Sequence, residues 1–327
     1  MKKYNWGILS TANIGRKAMI PALKASKFAR VKAIASRDAE RARNFAKKLD
    51  IPVSYGDYQS LLDDPTIDAI YNPLPNHLHK PWTIKAAESG KHILCEKPLA
   101  LNVEECRDMI AAAKANNVQL IEAFMYRHHP RIQAAREMAH RGVIGDIKTI
   151  EAAFTFNLRN PSDIRYKPEM GGGALMDVGC YCINICRLMA GREPLEVQGR
   201  ATWTPSGVDD QFTAILDFGD GLLAHFDCGF NQSVRQRCII SGTEGFFVLR
   251  DAFLPGVGKT VINEVRGRTS RIHKFTGRNE YRLIAEDFMG TFENGELPYP
   301  PEDGMANMRV IQALLQSASQ NGKPVKP

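Results

Sequence analysis

Along the first 125 residues, short apolar runs alternate with amphipathic stretches. Asn5–Leu9, Val31–Ala35, Ala69–Asn72, His92–Cys95 and Gln119–Ala123 read as buried strands. Between them Arg16–Ala25, Ala39–Leu49, Lys80–Ser89 and Val103–Asn116 carry apolar residues at helical spacing. Strand and helix in strict alternation predict βαβ units and a parallel, doubly wound sheet.

After the helical stretch Arg131–Arg141 the period changes. Lys148–Phe156, Glu196–Thr202, Phe212–Asp217, Leu222–Phe230, Arg237–Ser241 and Gly245–Leu249 form longer alternating runs, several joined by turn sequences such as FGDG and SGTEG. That pattern predicts a largely antiparallel open sheet. Helices are expected at Gly173–Ala190, Glu280–Asn294 and Asp303–Gln320. The fold class is therefore α/β: a doubly wound domain over residues 1–125, followed by an α+β domain over 126–327.

Composition removes several classes of function. A chain of 327 residues has room for two cores. The net charge of +7 is spread among acidic residues, as in RDAERARNFAKKLD, so it marks no nucleic-acid surface. No apolar run reads as a membrane span, and MKKYNWGILS passes straight into a strand pattern without a leader's apolar core. A cytoplasmic protein is expected. The seven cysteines lack C-x-x-C spacing. Cys180, Cys182 and Cys186 share one predicted helix, where small buried thiols are the ordinary use, and no metal is expected.

The first strand leads into GILSTANIG, at the place and spacing of the glycine-rich turn of a Rossmann dinucleotide site. Ser10, Ala12 and Gly15 hold the three glycine positions. Ala12 adds one methyl, Gly15 retains close helix packing, and Ser10 and Thr11 bring hydroxyls for phosphate. Asn13 and Ile14 lie where a helix N-terminus would offer its amides to an anion. The second strand ends AIASRD. A carboxylate there would favour the ribose of NAD; Ser36 and Arg37 instead suit the 2′-phosphate of NADP. Asp38 reads as the cap of the following helix. NADP is the expected cofactor, with NAD weaker.

Beyond His92–Cys95 the chain reads Glu96-Lys97-Pro98. With PLPNHLH at Pro73–His79, EAFMYR at Glu122–Arg127 and GGGALMDVGCY at Gly171–Tyr181, it resembles the Gfo/Idh/MocA family of sugar and polyol oxidoreductases over essentially its whole length. The likeness is to the subgroup of NADP-dependent aldose dehydrogenases, glucose–fructose oxidoreductase and dimeric dihydrodiol dehydrogenase. Lys97, beyond the carboxyl end of its strand, has an ammonium suited to stabilising a developing alkoxide. Asp177 and Tyr181, four residues apart, share one helix face. Tyrosine needs a cation beside it to act as a base near neutrality, a role open to Lys97. Asp177 would accept a hydrogen bond from substrate or hold Lys97.

The resemblance implies catalytic roles for Lys97, Asp177 and Tyr181; tyrosine at the last of these argues against an inositol substrate. It also implies that Leu74, Pro75, Asn76, His77, Glu96 and Arg127 lie along the cofactor. Phe156, Asp163, Arg165 and Tyr166 are candidates for the substrate cleft. The expected reaction is hydride transfer between a sugar or polyol and nicotinamide, most simply oxidation of a cyclic aldose at its anomeric carbon to a lactone. Reduction of a keto-sugar or dicarbonyl, oxidation of a trans-dihydrodiol, sugar–sugar transfer with bound cofactor, and ligand sensing without turnover are the alternatives. With few helices to cover it, the second sheet is expected to pair two copies into a homodimer, or a tetramer of such dimers, through strands such as Leu222–Phe230.

Overall fold

The computed structural model describes residues 2–293 and 295–327. By their internal packing these fall into two compact units, Met1–Met125 with Asn279–Met305, and Tyr126–Arg278 with Ala306–Pro327.

In the first unit β1 (Tyr4–Leu9) leads through a π-helical turn, Gly15–Met19, into α1 (Ile20–Ala25). There follow β2 (Ala29–Ala35), α2 (Ala39–Lys48), β3 (Val53–Tyr55), α3 (Tyr58–Leu62), β4 (Ala69–Asn72), α4 (His79–Glu88), β5 (His92–Cys95), α5 (Val103–Ala115) and β6 (Leu120–Glu122). The order β3-β2-β1-β4-β5-β6, parallel throughout, puts the topological switch between β1 and β4. β3 and α3 escape the sequence pattern because three and five residues are too short to display a period.

The second unit begins with α6 (Pro130–His140) and β7 (Ile147–Asn157). A π-helical turn, Leu175–Gly179, opens α7 (Cys180–Ala190). β8 (Glu196–Trp203), β9 (Asp209–Asp217), β10 (Leu223–Gly229), β11 (Asn231–Gly242), β12 (Phe246–Arg250), β13 (Thr260–Arg266) and β14 (Thr269–Phe275) follow. α8 (Glu280–Met289) and α9 (Pro301–Ser319) complete the chain. The sheet has eight strands rather than six, in the order β14-β13-β12-β11-β7-β10-β9-β8. β7 and β10 pair in parallel and every other pairing is antiparallel. The hairpin of β13 and β14 lacks an apolar signature: TSRIHKF is an edge strand guarded by Arg271 and Lys274.

A single cut after residue 125 does not describe the chain. Residues 279–305 return to the first unit because α8 offers Ile284, Ala285, Phe288 and Met289 to its core. The Trp6 indole donates to the Met289 sulfur at 3.3 Å and lies 6.1 Å from the Phe288 ring. The expected helix 280–294 stops at Met289, and its last expected residue, Asn294, lies outside the described residues.

All eleven residues of α7 are buried. The helical run 168–190 does reach the length and apolarity of a membrane span, but 89% of its apolar window is buried inside the protein, so it is a core helix. Cys180, Cys182 and Cys186 are core side chains, and burial holds the Cys182 and Cys186 thiols well above their usual pKa. Strand alternation puts Leu222, Ala224, Phe226 and Cys228 inside and Leu223 and His225 outside. The outer row Ile215, His225, Glu151, Ile239, Val248 runs across five strands. On the same outer face Ile215, Leu223, Phe246 and Ile272 are exposed large apolar residues, and the ion pairs Arg237–Glu151 and Arg235–Asp227 interrupt that face.

Candidate active site

The turn after β1 is bent by Ser10 itself, which takes φ +94° where glycine would be the usual choice. Its hydroxyl accepts the Ala12 amide at 3.2 Å and so offsets part of the strain. Gly15 is not required for close packing as the motif suggests: a Cβ there would meet Tyr71, Ile8 and Ile20 at 3.6–4.0 Å, ordinary contact. No side chain caps the helix start at Ile14, so the turn leaves its amides to a ligand, the arrangement that suits a pyrophosphate.

At the end of β2, Ser36 is buried and its hydroxyl accepts the Asp38 amide; Asp38 accepts the Arg41 amide at 3.0 Å as the cap of α2. Arg41 Nε in turn donates to Thr11 Oγ1 at 2.7 Å. Burial raises the Tyr58 phenol's pKa, opposed by Arg37, which hydrogen-bonds it, and by Arg41. Two guanidiniums and two hydroxyls thus gather beside the phosphate turn, a donor set that fits a 2′-phosphate better than a bare ribose. Arg41 is absent from the sequence reading; it stands in the first turn of α2, three residues past the cap Asp38, whereas Arg37 lies just before that helix.

The loop after β4 and the turn after β5 are laced by a residue the sequence reading also passed over. His79 is fully buried, with Nδ1 2.9 Å from the Pro98 carbonyl and Nε2 2.8 Å from the Leu74 carbonyl. Burial lowers its pKa to about 4, so the neutral ring donates to one carbonyl at a time. Leu74, Pro75, Asn76 and His77 stand on one side of this tie, the last two in a 3-10 turn, and Glu96 and Lys97 on the other. The Lys97–Pro98 peptide is cis. The Glu96 carboxylate accepts the Tyr71 hydroxyl at 2.6 Å, and Glu122 accepts the Leu99 amide at 2.8 Å. Glu96, expected along the cofactor, is thus engaged as a brace of the Lys97 turn.

In the second unit the Gly171–Gly173 run serves the backbone. A Cβ on Gly172 would lie 2.4 Å from the Arg165 carbonyl, and Gly173, at φ +112°, donates its amide to that oxygen at 2.9 Å. This folds the loop carrying Asp163, Arg165 and Tyr166 onto the helix start. Arg165 Nε donates to Asp177 at 2.6 Å and Nη1 to Asp163 at 3.2 Å, with the guanidinium 5.9 Å from the Phe156 ring centre. Asp177, foremost, and Asp163 push the arginine's pKa further up. Asp177 therefore holds Arg165, a role the sequence did not suggest. The Tyr166 hydroxyl donates to the Leu158 carbonyl at 3.0 Å, and its ring packs edge-on to Phe230.

Tyr181, in the first turn of α7, is buried in an aromatic box. Phe154, Phe253 and Tyr126 stand 5.4, 5.5 and 6.0 Å from its ring. Phe154, two residues from the expected Phe156 on the same face of β7, is the wall residue, and period two was the signal for it. Phe253 arrives from the loop after β12, which no local pattern links to Tyr181. Arg127 is buried in the 3-10 turn Met125–His128. Lys97 belongs to the first unit, and Asp177, Tyr181, Arg127 and the residues around them to the second.

Comparison with known proteins yields two family profiles. Residues 4–124 match the oxidoreductase family with NAD-binding Rossmann fold, and residues 132–248 match the GFO/IDH/MocA C-terminal domain. D-xylose 1-dehydrogenase (NADP(+)) 2 of Haloferax volcanii is 38% identical across 96% of this chain and 97% of its own. Among solved structures, aldose-aldose oxidoreductase from Caulobacter crescentus superposes with a TM-score of 0.92 at 26% identity, covering 100% of both chains. A 3-ketoreductase from Actinomadura kijaniata, in complex with NADP and TDP-benzene, gives 0.91 at 28% identity over 97% of this chain and 98% of the other.

Proposed function

The chain belongs to the Gfo/Idh/MocA oxidoreductase family, and on that premise we propose an NADP-dependent dehydrogenase of a neutral sugar, most simply a cyclic aldose oxidised at C1. The observation that carries this reading is the pairing of a phenol in an aromatic box, Tyr181, with Asp177 four residues before it on the same chain segment. Apolar walls exclude water from the phenol, and a hydroxyl-bearing ring is the natural guest of aromatic side chains beside carboxylates. The Arg165 charge is compensated by two aspartates, which disfavours an anionic group at that position. The Haloferax relative, named for D-xylose and NADP, supports the same choice.

When bound, the nicotinamide accepts the hydride, the two electrons and hydrogen leaving C1. Tyr181 takes the hydroxyl proton as the C1 oxygen becomes the lactone carbonyl, and the Lys97 ammonium stabilises negative charge developing on that oxygen. His79, Glu96 and Glu122 hold the turn that presents Lys97. Ser10, Thr11 and the amides of Asn13 and Ile14 hold the pyrophosphate, the Ala12 amide being engaged by the Ser10 hydroxyl, and Ser36, Arg37 and Arg41 hold the 2′-phosphate. Leu74, Pro75, Asn76, His77 and Arg127 are proposed to line the nicotinamide end, and Phe156, Asp163 and Tyr166 the sugar. Reduction of a keto-sugar is the second reading, favoured by the likeness to the 3-ketoreductase.

The test is a screen of aldoses, polyols, dihydrodiols and keto-sugars with NADP(H) and NAD(H), following absorbance of the reduced nicotinamide. Aldose-dependent reduction of NADP in preference to NAD is expected. A panel with no active substrate would overturn the reading. We propose further that two copies pair through the outer face of the eight-stranded sheet, around Ile215, Leu223, Phe246 and Ile272. Light scattering should give twice 36.4 kDa, and Leu223→Asp should lower it; a 36.4 kDa species in the wild type would refute pairing.

A further inference from the structure

The helix that carries Asp177 and Tyr181 begins without a cap of its own. Its N-cap residue, Ala174, has no polar side chain, and the glycines before it have none either. A Cβ on either glycine would collide with an oxygen: the Arg165 backbone carbonyl at Gly172, and a side-chain carboxylate at Gly173. That carboxylate is Asp209, from the first residue of β9. Its Oδ2 accepts the Leu175 amide at 2.7 Å, and a Cβ on Gly173 would lie 2.3 Å from its Oδ1.

We propose that Asp209 is a positioning residue for the reaction: it fixes the first turn of this helix, and so the placement of Asp177 and Tyr181. The inference rests on the reading above, in which those two side chains act on the sugar.

Three features separate Asp209 from an ordinary surface cap. It is 2% exposed, and among the described residues no cationic side chain lies within salt-bridge distance of it. Burial consequently raises its pKa to about 6, although the Leu175, Asp209 and Ala174 amides oppose the shift. A buried carboxylate without a cation is a costly way to end a helix, since serine or asparagine would serve a surface cap as well. Moreover, the turn it holds is π-helical, a wider turn that sets the angular position of every side chain following it. Asp177 is within that turn and Tyr181 just beyond it. The titratable groups facing Asp209 are Asp210 beside it on β9 and the Cys228 thiol on β10; Asp177, with the Arg165 guanidinium upon it, acts on the same thiol.

Hydrogen exchange of the amides from Ala174 to Tyr181 tests the proposal independently of any substrate. Asp209→Ala is expected to speed exchange there at least tenfold while the remainder of the chain is unchanged. Asp209→Asn, which keeps one acceptor, should fall between and serves if the alanine variant fails to fold. With a sugar that the wild type oxidises, kcat should drop about 10–100-fold in the alanine variant, recover partly in the asparagine one, and leave the KM for NADP unaltered. Wild-type kcat should decline below about pH 6 and the asparagine variant should lose that limb. Wild-type exchange at 174–181, unchanged kcat, or exchange quickened uniformly across the chain would each overturn the proposal. If the wild type oxidises no sugar, the functional reading fails and the exchange arm still decides whether Asp209 fixes the turn.

Discussion

Two π-helical helix starts in this chain do opposite things with the same backbone groups. At Gly15–Met19 the turn has no side-chain cap, and hydroxyls and guanidiniums stand beside it. At Leu175–Gly179 the amides are already filled by Asp209, and the turn offers side chains, Asp177 and then Tyr181. A helix N-terminus attracts negative charge wherever it occurs. Whether it becomes an anion site depends on whether the protein supplies that charge itself. The first start has no carboxylate of its own and, on the proposed reading, is left for a phosphate; the second is closed by a carboxylate and, on the same reading, turned to positioning.

The largest effect that would break the comparison is at Tyr181. Tyr181→Phe should lower kcat by roughly two to four orders of magnitude while the NADP dissociation constant, read by fluorescence titration, stays put. Near-normal turnover would move the proton acceptor elsewhere.

Opposite pH dependences should next separate the Asp209 cap of the second helix start from His79, which ties the Lys97 turn in the first unit. His79 has its pKa lowered to about 4 from 6.5 by burial, so its contribution is whole above pH 6.5 and is lost as pH falls through about 4. Asp209 has its pKa raised to about 6 from 3.8, so its contribution is whole below pH 3.8 and is lost as pH rises through about 6. Each contributes up to about 3 kcal/mol. Denaturant midpoints of wild type minus His79→Asn, and wild type minus Asp209→Asn, should run in opposite directions between pH 4 and 7. Parallel curves would remove the contrast.

Arg37→Asp should weaken NADP about 10–100-fold and leave NAD equal or better, because on the proposed assignment it would replace a phosphate-binding fork by a ribose acceptor. Arg41→Ala should weaken NADP less. Tighter binding of NAD than NADP by the wild type would contradict both.

The smallest effect compares the glycines. Gly15→Ala should cost under about 1 kcal/mol, since there is room and the backbone is helical. Gly173→Ala should cost about 1–3 kcal/mol, because its φ is positive and Asp209 occupies the space. Melting curves of equal shift would deny that the two turns differ in packing.

Much of this was legible along the chain. Alternating short strands and amphipathic helices required a parallel sheet, since βαβ connection leaves no other economical pairing. Ser36 and Arg37 stood out because a missing carboxylate at the end of a second strand is a local fact. Lys97 stood out for its position after a strand, and Asp177 and Tyr181 because a spacing of four fixes a shared face.

What the tertiary structure decided lies between residues far apart in sequence. Asp209 closes a helix 34 positions before it, Phe253 walls in Tyr181, Arg41 reaches back to Thr11, and His79 ties the carbonyls of Leu74 and Pro98. Capping, aromatic contact and hydrogen bonding act over a few ångströms, and periodicity carries no information about which distant segment the fold brings within that range. Residues 279–305 belong with the first unit for the same reason: an apolar helix face names its need for a core, and only the packed chain determines which core it finds.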